Sequence, residues 1–178
     1  MNFNLKTTFI IASFFCTSLS HAFELKSADL KPNGKIPPEF VFNGMGCTGE
    51  NLSPELHWTG APKDTKSFAI TVYDPDAPTG SGFWHWIAYG FSPSTTSLKK
   101  GWRPIAGDGI TQAATDYGAP GYNGPCPPPG KPHHYIFTVY ALKTDKIEVP
   151  AGAPNAIARF MIMGNVISKA SFTALYGK

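Results

Sequence analysis

The chain has 178 residues, with 15 basic and 12 acidic side chains and a formal net charge of +3 at neutral pH. This excess is too small, and the basic residues are too scattered, to indicate a surface for nucleic acid. Beyond the N-terminal segment, no apolar run approaches the roughly 20 residues that a membrane-spanning helix needs. Length and composition therefore favour one ordinary domain with neither a nucleic-acid partner nor a membrane span.

The N-terminal segment has the order of a signal peptide. A basic start is followed by an apolar stretch over residues 7–20, and Ser20 and Ala22 put small side chains where a signal peptidase requires them. The apolar stretch is too short to span a bilayer comfortably. We therefore expect residues 1–22 to be removed near Ala22, which leaves a single domain, residues 23–178, that is periplasmic or secreted.

Turns and short strands dominate the rest of the chain. Proline and glycine number 17 and 18, which predicts many turns and few helices. Segments that alternate in hydrophobicity, or are rich in β-branched and aromatic residues, predict strands. These segments are 23–27, 40–42, 56–58, 67–73, 83–89, 134–142 and 172–176. In 134–142 almost every side chain favours a strand, so both faces of that strand are expected to be covered.

One helix is predicted near the C-terminus, opened by Pro154 and Asn155. Helical spacing then relates a set of mostly apolar positions: Ile157, Phe160, Met161, Gly164 and Ile167 or Ser168. Core packing is the expected role of the two helix methionines, Met161 and Met163. Many strands and one late helix predict a mainly β fold, as a sandwich or an antiparallel sheet.

Two cysteines remain in the expected mature chain, Cys47 and Cys126. In an oxidising compartment an even pair favours a disulfide, and two separate thiols are the alternative. A metal site is not expected, because neither cysteine has a cysteine or histidine close to it in the sequence.

Two polar clusters follow predicted strands or lie within them. Residues 74–78 (DPDAP) place Asp74 and Asp76 among prolines that stiffen the loop, although the same residues are common in ordinary turns. His85 lies between two tryptophans in a predicted strand, so its ring should point to the face opposite both of them. A buried structural histidine is the alternative interpretation.

A third cluster is the proline-rich segment 121–135, which leads into the strongest predicted strand. His133 and Tyr135 are two residues apart and therefore lie on one face of that strand. Proline-rich segments are often linkers, but this one joins two ordered segments within one domain.

Together these pieces resemble the phosphatidylethanolamine-binding protein family, in particular its bacterial Raf-kinase-inhibitor-like branch of the YbhB/YbcL type. The matching segments occur in the order of the family and cover essentially the whole expected mature chain. They are 53–54 (SP), 56–58 (LHW), 74–78 (DPDAP), 83–86 (FWHW), 116–118 (DYG), 121–125 (GYNGP) and 127–135 (PPPGKPHHY). The resemblance implies a β-sandwich with a large antiparallel sheet, a C-terminal helix and a shallow pocket at one end.

The resemblance also implies which residues form that pocket. By motif position, its polar wall consists of Asp74, His85 and His133. Its supporting frame consists of Asp76, Pro78, Trp84, Gly124, Pro125 and Tyr135. Pockets of this family accept phosphate, phosphorylated headgroups of the phosphoethanolamine kind or small carboxylates, and no cofactor is implied. His134 stands where many relatives carry arginine, which implies weaker or more pH-dependent binding here.

The chemistry of these side chains agrees with an anion site. Imidazoles gain charge as the pH falls through about 6.5, and a bound anion favours the charged form. We expect Asp74 to favour the charged form of His85 or His133 and to orient one ring. Backbone amides near Gly124 are expected to donate to a phosphate.

Two other kinds of function compete with simple anion binding. Histidines and aspartates also serve in acid–base hydrolysis or metal chemistry, but the sequence lacks a G-x-S-x-G elbow, a P-loop and an H-E-x-x-H helix. An enzyme is therefore not expected. The other possibility, implied by the family, is a protein that inhibits or modulates a kinase or protease, with or without a working pocket. Its candidate contact is the loop 93–108, which contains Lys99, Lys100, Trp102 and Arg103, although a solvated connector is the favoured interpretation of this loop.

Overall fold

The computed structural model describes residues 22–178, so the expected signal peptide lies outside the described residues apart from Ala22. The described chain forms ten strands, one α-helix and a short 3-10 helix. The strands are β1 (Glu24–Lys26), β2 (Asn43–Gly44), β3 (Cys47–Thr48), β4 (Leu56–Thr59), β5 (Ser67–Asp74), β6 (Phe83–Phe91), β7 (Ser97–Leu98), β8 (Thr111–Gln112), β9 (His133–Leu142) and β10 (Val166–Tyr176). The 3-10 helix spans Pro38–Phe40, and α1 spans Asn155–Met163.

The strands form two main antiparallel sheets. The larger has five strands in the order β10-β9-β5-β6-β8, and the smaller has three in the order β1-β4-β7. β2 and β3 form a separate hairpin. The prediction of a mainly β fold with a large antiparallel sheet and a C-terminal helix is confirmed.

The larger sheet is covered on both faces. One face packs against the smaller sheet through a core that includes Trp58 from β4 and Phe137 from β9. The other face packs against α1 through Ala158 and Ile162. Strands buried on both sides need apolar residues at nearly every position, which explains why β5 and most of β9 lack a strict alternation.

The topology gathers three strand ends at one edge of the larger sheet. β5 lies between β6 and β9 and is antiparallel to both. The end of β5 at Asp74 therefore lies beside the start of β6 at Phe83 and near the start of β9 at His133. The polar segments that stood far apart in the sequence meet at this edge.

Two predicted elements differ from those observed. The segment 40–42 is not a strand: Pro38 begins a 3-10 turn that ends at Phe40, and the Phe42 amide then donates to the carbonyl of Pro125 at 3.1 Å. The predicted helix ends at Met163, before Gly164, and Ile167 and Ser168 belong to β10.

The helix also differs from the prediction in which of its methionines is buried. Ala158 and Ile162 are its buried residues, whereas Phe160 is 73% exposed. Met161 packs against the core as expected, but Met163 is 48% exposed, so the core role predicted for Met163 is wrong. Ala158 and Ile162 are four residues apart and therefore lie on the same face of the helix.

Cys47 and Cys126 form the predicted disulfide, with their Cα atoms 6.0 Å apart. The bridge joins the β2–β3 hairpin to the proline-rich segment before β9. Among residues 22–178, no helix is long and apolar enough to cross a membrane.

Candidate functional site

A pocket of about 170 Å³ opens where β5, β6 and β9 come together. Its floor is polar, and its walls and mouth are mostly apolar. The lining residues are Met45, Asp74, Ala77, Pro78, Thr79, Phe83, His85, Tyr117, Cys126, Pro127, Pro128, His133 and Tyr135. Five of the nine residues predicted for the pocket or its frame therefore line it: Asp74, Pro78, His85, His133 and Tyr135.

Asp74 is the anchor of the pocket floor. Its Oδ2 accepts a hydrogen bond from Nδ1 of His133 at 2.7 Å. Its Oδ1 accepts the backbone amides of Asp76 and Ala77 at 2.8 and 3.1 Å. The carboxylate is 2% exposed, so it orients His133 and the following loop. The His133 atom left for a ligand is Nε2.

His85 reaches the pocket through a β-bulge. Val72 pairs with Trp86 and Tyr73 pairs with Trp84, so His85 is an extra residue without a Cα partner on β5. A bulge redirects the side chains around it. Trp84 packs on the helix side of the sheet, whereas His85 and Trp86 both lie on the other side. The prediction that His85 points away from both tryptophans is therefore wrong for Trp86.

His85 is held from both directions by Asn123. Its Nδ1 lies 2.8 Å from the Asn123 carbonyl oxygen, and its own carbonyl accepts the Asn123 amide at 2.9 Å. Burial lowers the pKa of His85, and this outweighs the opposing effects of the Asn123 hydrogen bond and the charge of Asp74. Asp74 therefore favours the charged form of His85, as expected, but burial has the larger effect and the net shift is downward.

Two tyrosines complete the floor and one wall. Tyr135 is fully buried, and its hydroxyl has no hydrogen-bonding partner in the part of the chain that the structure describes. Burial raises the pKa of Tyr135, and the charge of Asp74 raises it further. Burial followed by the charge of Asp74 raises the pKa of Tyr117 to about 12. Both hydroxyls therefore stay protonated at neutral pH. The Tyr117 hydroxyl donates to the Gly124 carbonyl at 3.4 Å, whereas the Tyr135 hydroxyl has no acceptor among residues 22–178.

Gly124 and Pro125 frame the pocket from behind. The Gly124 amide donates to Oδ1 of Asn51 at 2.8 Å, and the Pro125 carbonyl accepts the Phe42 amide. A side chain at Gly124 would overlap the backbone of Phe40, so the position requires glycine for close packing. Because its amide is already used, Gly124 itself is not one of the backbone donors predicted for a phosphate, and the prediction for the amides around it stays untested.

Trp84 and Asp76 also lie outside the pocket. The Trp84 ring stacks on Tyr73 on one side and lies 4.3 Å from the guanidinium of Arg159 on α1. Asp76 accepts the amide and Nδ1 of His134, each at 2.7 Å, through the same Oδ2 atom. Both residues therefore fix segments next to the pocket, Trp84 the helix and Asp76 the start of β9.

Sequence analysis missed several residues of the apolar wall. Phe83 lies two positions before His85 on β6, so its place in the pocket was open to inference from strand periodicity. Tyr117 lies in the DYG segment, and its ring contacts both Phe83 and His85. Met45, at the tip of the β2–β3 hairpin, had no such signal, because the disulfide and the fold bring it to the mouth.

The site offers a small set of chemical functions. Two imidazole Nε2 atoms and one unpartnered tyrosine hydroxyl line a pocket that has a buried carboxylate behind it. Within residues 22–178, no group of three His, Cys, Asp or Glu side chains is close enough to share a metal ion. The arrangement suits hydrogen bonding to the oxygens of a small ligand.

Comparisons with known proteins agree with this architecture. Residues 26–177 match the family model described as phosphatidylethanolamine-binding protein. The Escherichia coli protein YbhB (UPF0098) is 45% identical over 156 residues, which cover 86% of this chain and 99% of that protein. Escherichia coli YbcL (UPF0098) is 42% identical over 172 residues, 94% of each chain.

The fold agrees as well. The crystal structure of Escherichia coli YbcL, described as a member of the mammalian PEBP family, superposes with a TM-score of 0.83 at 43% identity. The superposition covers 88% of this chain and 98% of that one. This chain belongs to the phosphatidylethanolamine-binding protein family.

Proposed function

We propose that this protein binds small anions in the pocket formed by Asp74, His85 and His133. The ligand class is phosphate, a phosphorylated headgroup of the phosphoethanolamine kind or a small carboxylate. The observation that carries the proposal is the buried, unpartnered hydroxyl of Tyr135 beside the two histidines. A buried donor without a partner is costly, and a ligand oxygen would satisfy it.

The size and walls of the pocket limit what fits. Sites for drug-sized ligands usually exceed about 300 Å³, whereas this pocket measures about 170 Å³. A headgroup of a few heavy atoms fits, and a lipid tail would have to remain outside. The apolar mouth, with Met45, Pro127 and Pro128, suits the carbon atoms that carry the anionic group.

We further propose that the pocket does not catalyse a reaction. His133 and Asp74 resemble the base and orienting acid of a hydrolase, but a nucleophile next to them is missing from the pocket lining. Cys126 is in the disulfide, and the Thr79 hydroxyl donates to the Gly82 carbonyl. The raised pKa of Tyr135 makes its hydroxyl a poor nucleophile. Phosphatase or esterase turnover that disappears in a His133→Ala variant would contradict this proposal.

Export is proposed on two grounds. The N-terminal sequence has the pattern of a signal peptide, and disulfides persist in oxidising compartments. Periplasmic fractionation of the tagged full-length chain, with N-terminal sequencing of the mature form, tests this proposal. Recovery of an uncleaved cytoplasmic protein would contradict it.

The loop 93–108 gives less support to a kinase- or protease-binding function. Lys100 lies within 2.8 and 3.3 Å of Glu39 and Asp29, and Trp102 packs against the core. These two residues thus serve the fold, whereas Lys99 and Arg103 are exposed. We therefore place the pocket first. If phosphate released a bound protein partner, anion binding and partner binding would be coupled.

The binding test is a titration of the mature protein with phosphate, phosphoethanolamine and acetate, followed by NMR of the histidine rings. We expect the His85 and His133 signals to shift together and to saturate at millimolar ligand. His85→Ala and His133→Ala should each weaken binding, whereas His57→Ala, which removes a ring outside this pocket, should not. Unchanged affinity in both pocket variants would contradict the proposal.

A further inference from the structure

The hydrogen bonds of His85 fix where its proton lies. A carbonyl oxygen only accepts hydrogen bonds, so the 2.8 Å contact with the Asn123 carbonyl places a hydrogen on Nδ1 of His85. The neutral ring then carries a lone pair on Nε2, the nitrogen without a hydrogen-bonding partner among the described residues. In this state His85 presents a hydrogen-bond acceptor to the pocket.

The surroundings of the ring favour this neutral state. Burial, the largest influence, lowers the pKa of His85. The Asn123 and Gly124 carbonyls and the charges of Asp74 and Asp116 act in the opposite direction without overcoming it. The other titratable groups around the pocket are Tyr117, Tyr135 and His133.

Asp74 adds a fixed negative charge to the floor. Both its oxygens accept hydrogen bonds from the protein, and the side chain is almost completely buried. It therefore acts on a ligand mainly through its charge. In a site shielded from water this charge opposes a second negative charge on the ligand more strongly than it would in solvent.

We propose, on the basis of the proposed anion site, that the pocket selects anions that carry a hydroxyl hydrogen, such as the monoanion of a phosphate monoester. It discriminates against anions of the same charge and shape that have no hydrogen to donate. The P–OH group donates to Nε2 of His85, and another ligand oxygen accepts from the hydroxyl of Tyr135. One ligand thus satisfies an acceptor and a donor that the protein leaves open.

An anion without a hydrogen meets two obstacles in the same position. Its oxygen faces the lone pair of His85, unless the buried ring takes up a proton from solvent. A dianion adds repulsion from Asp74. An unmatched buried pair of this kind costs about as much as a lost hydrogen bond, or roughly tenfold in affinity.

The test compares methyl phosphate with methyl sulfate. Methyl phosphate is half monoanion near pH 6, because the second pKa of a phosphate monoester is about 6. Methyl sulfate is a monoanion of nearly the same shape without a hydrogen. At pH 6 we expect methyl phosphate to bind the mature protein about tenfold more tightly, as measured by NMR titration. Equal affinities would overturn the selection while leaving the anion site intact, and absence of binding by both would overturn the anion site itself.

The pH dependence gives a second, independent measurement. Between pH 6 and pH 8 the monoanion fraction of methyl phosphate falls about fiftyfold, and we expect its affinity to fall by a similar factor. Asp74→Asn removes the negative charge, so a folded variant should admit the dianion and lose less affinity over this range. Wild-type affinity that stays constant from pH 6 to pH 8 would overturn the proposal. The wild-type comparison of the two ligands decides the question even where Asp74→Asn fails to fold.

Discussion

Asp74 and His133 form a buried pair that ties the end of β5 to the start of β9. The Asp74 carboxylate lies 2.7 Å from the His133 ring and also accepts the amides of Asp76 and Ala77. One side chain thus positions an imidazole of the pocket and shapes the loop that leads to its mouth. The arrangement combines structural and binding roles in one residue.

Removal of this carboxylate should destabilise the fold. Asp74→Ala leaves the His133 ring and two amides without their acceptor, and we expect a loss of about 3 kcal/mol in the free energy of unfolding. Urea unfolding monitored by tryptophan fluorescence measures it. Asp64→Ala, at an exposed carboxylate, should change stability by less than about 0.5 kcal/mol. Equal effects of the two variants would show that the Asp74 network contributes little.

The disulfide should stabilise both the fold and the mouth of the pocket. It joins positions 79 residues apart, and the chain-entropy model gives about 4.5 kcal/mol for such a loop. Reducing agent should therefore lower the stability of the wild type by up to about this amount and weaken anion binding, because Met45 and Pro127 lose their fixed relation. The double variant Cys47→Ser/Cys126→Ser is the control, since reductant should not alter it. A wild type that is insensitive to complete reduction would refute the prediction.

Local sequence patterns predicted what depends on neighbouring residues. The segments 67–73 and 83–89 were recognisable as strands, and the spacing of His133 and Tyr135 placed both on one face, as observed. The disulfide followed from the cysteine count and the expected compartment. The prediction of a pocket, and of the residues that form it, rested on the family resemblance.

What the sequence did not reveal depends on distant contacts. Strand periodicity predicts the wrong relative orientation of His85 and Trp86, because the bulge adds one residue to β6. No feature of the FWHW segment indicates this bulge. The use of the Gly124 amide depends on Asn51, which lies 73 residues away. Which face of α1 is buried depends on the sheet against which the helix packs, so helical spacing alone did not show that Met163 is exposed whereas Met161 packs against the core.

The observed face of α1 can be tested with a matched pair of substitutions. Phe160 is largely exposed, so Phe160→Ser should change the free energy of unfolding by less than about 0.5 kcal/mol. Ile162 is fully buried, and Ile162→Ala should cost about 3 kcal/mol. Thermal or urea unfolding of both variants measures the difference. The reverse order would mean that Phe160, and not Ile162, packs against the sheet.

The contact between Asp76 and His134 should make a small, acid-sensitive contribution to stability. The His134 amide, followed by the His134 side chain, lowers the pKa of Asp76 below 3.8. Because the folded-state pKa is depressed, the contribution is complete above pH 3.8 and is lost as the pH falls through the folded value. The pair is exposed, so its size should be below about 1 kcal/mol.

Asp76→Asn is the variant that isolates this effect. The difference in unfolding free energy between wild type and Asp76→Asn should be present at pH 5, where the carboxylate is ionised, and should shrink below about pH 4. Urea titrations at a series of pH values measure it. A difference that grows as the pH falls from about 5 to about 3 would have the wrong sign for a carboxylate with a depressed pKa.

Gly124 should be far less tolerant of a side chain than another glycine with ordinary backbone angles. A Cβ atom there would overlap the Phe40 carbonyl and crowd the Phe42 amide, so we expect Gly124→Ala to cost about 3 kcal/mol. Gly164 has helical angles, and its nearest neighbour to an added Cβ, the Phe160 carbonyl oxygen, lies 3.6 Å away.

Gly164→Ala should therefore be neutral or stabilising by up to about 1 kcal/mol. Urea unfolding of the two alanine variants gives the comparison. A folded Gly124→Ala variant should also bind phosphate more weakly, because movement of residues 40–42 displaces Phe42, which stacks on the pocket residue Tyr117. Two variants of equal stability and unchanged phosphate affinity would mean that the packing behind the pocket yields easily and does not set its shape.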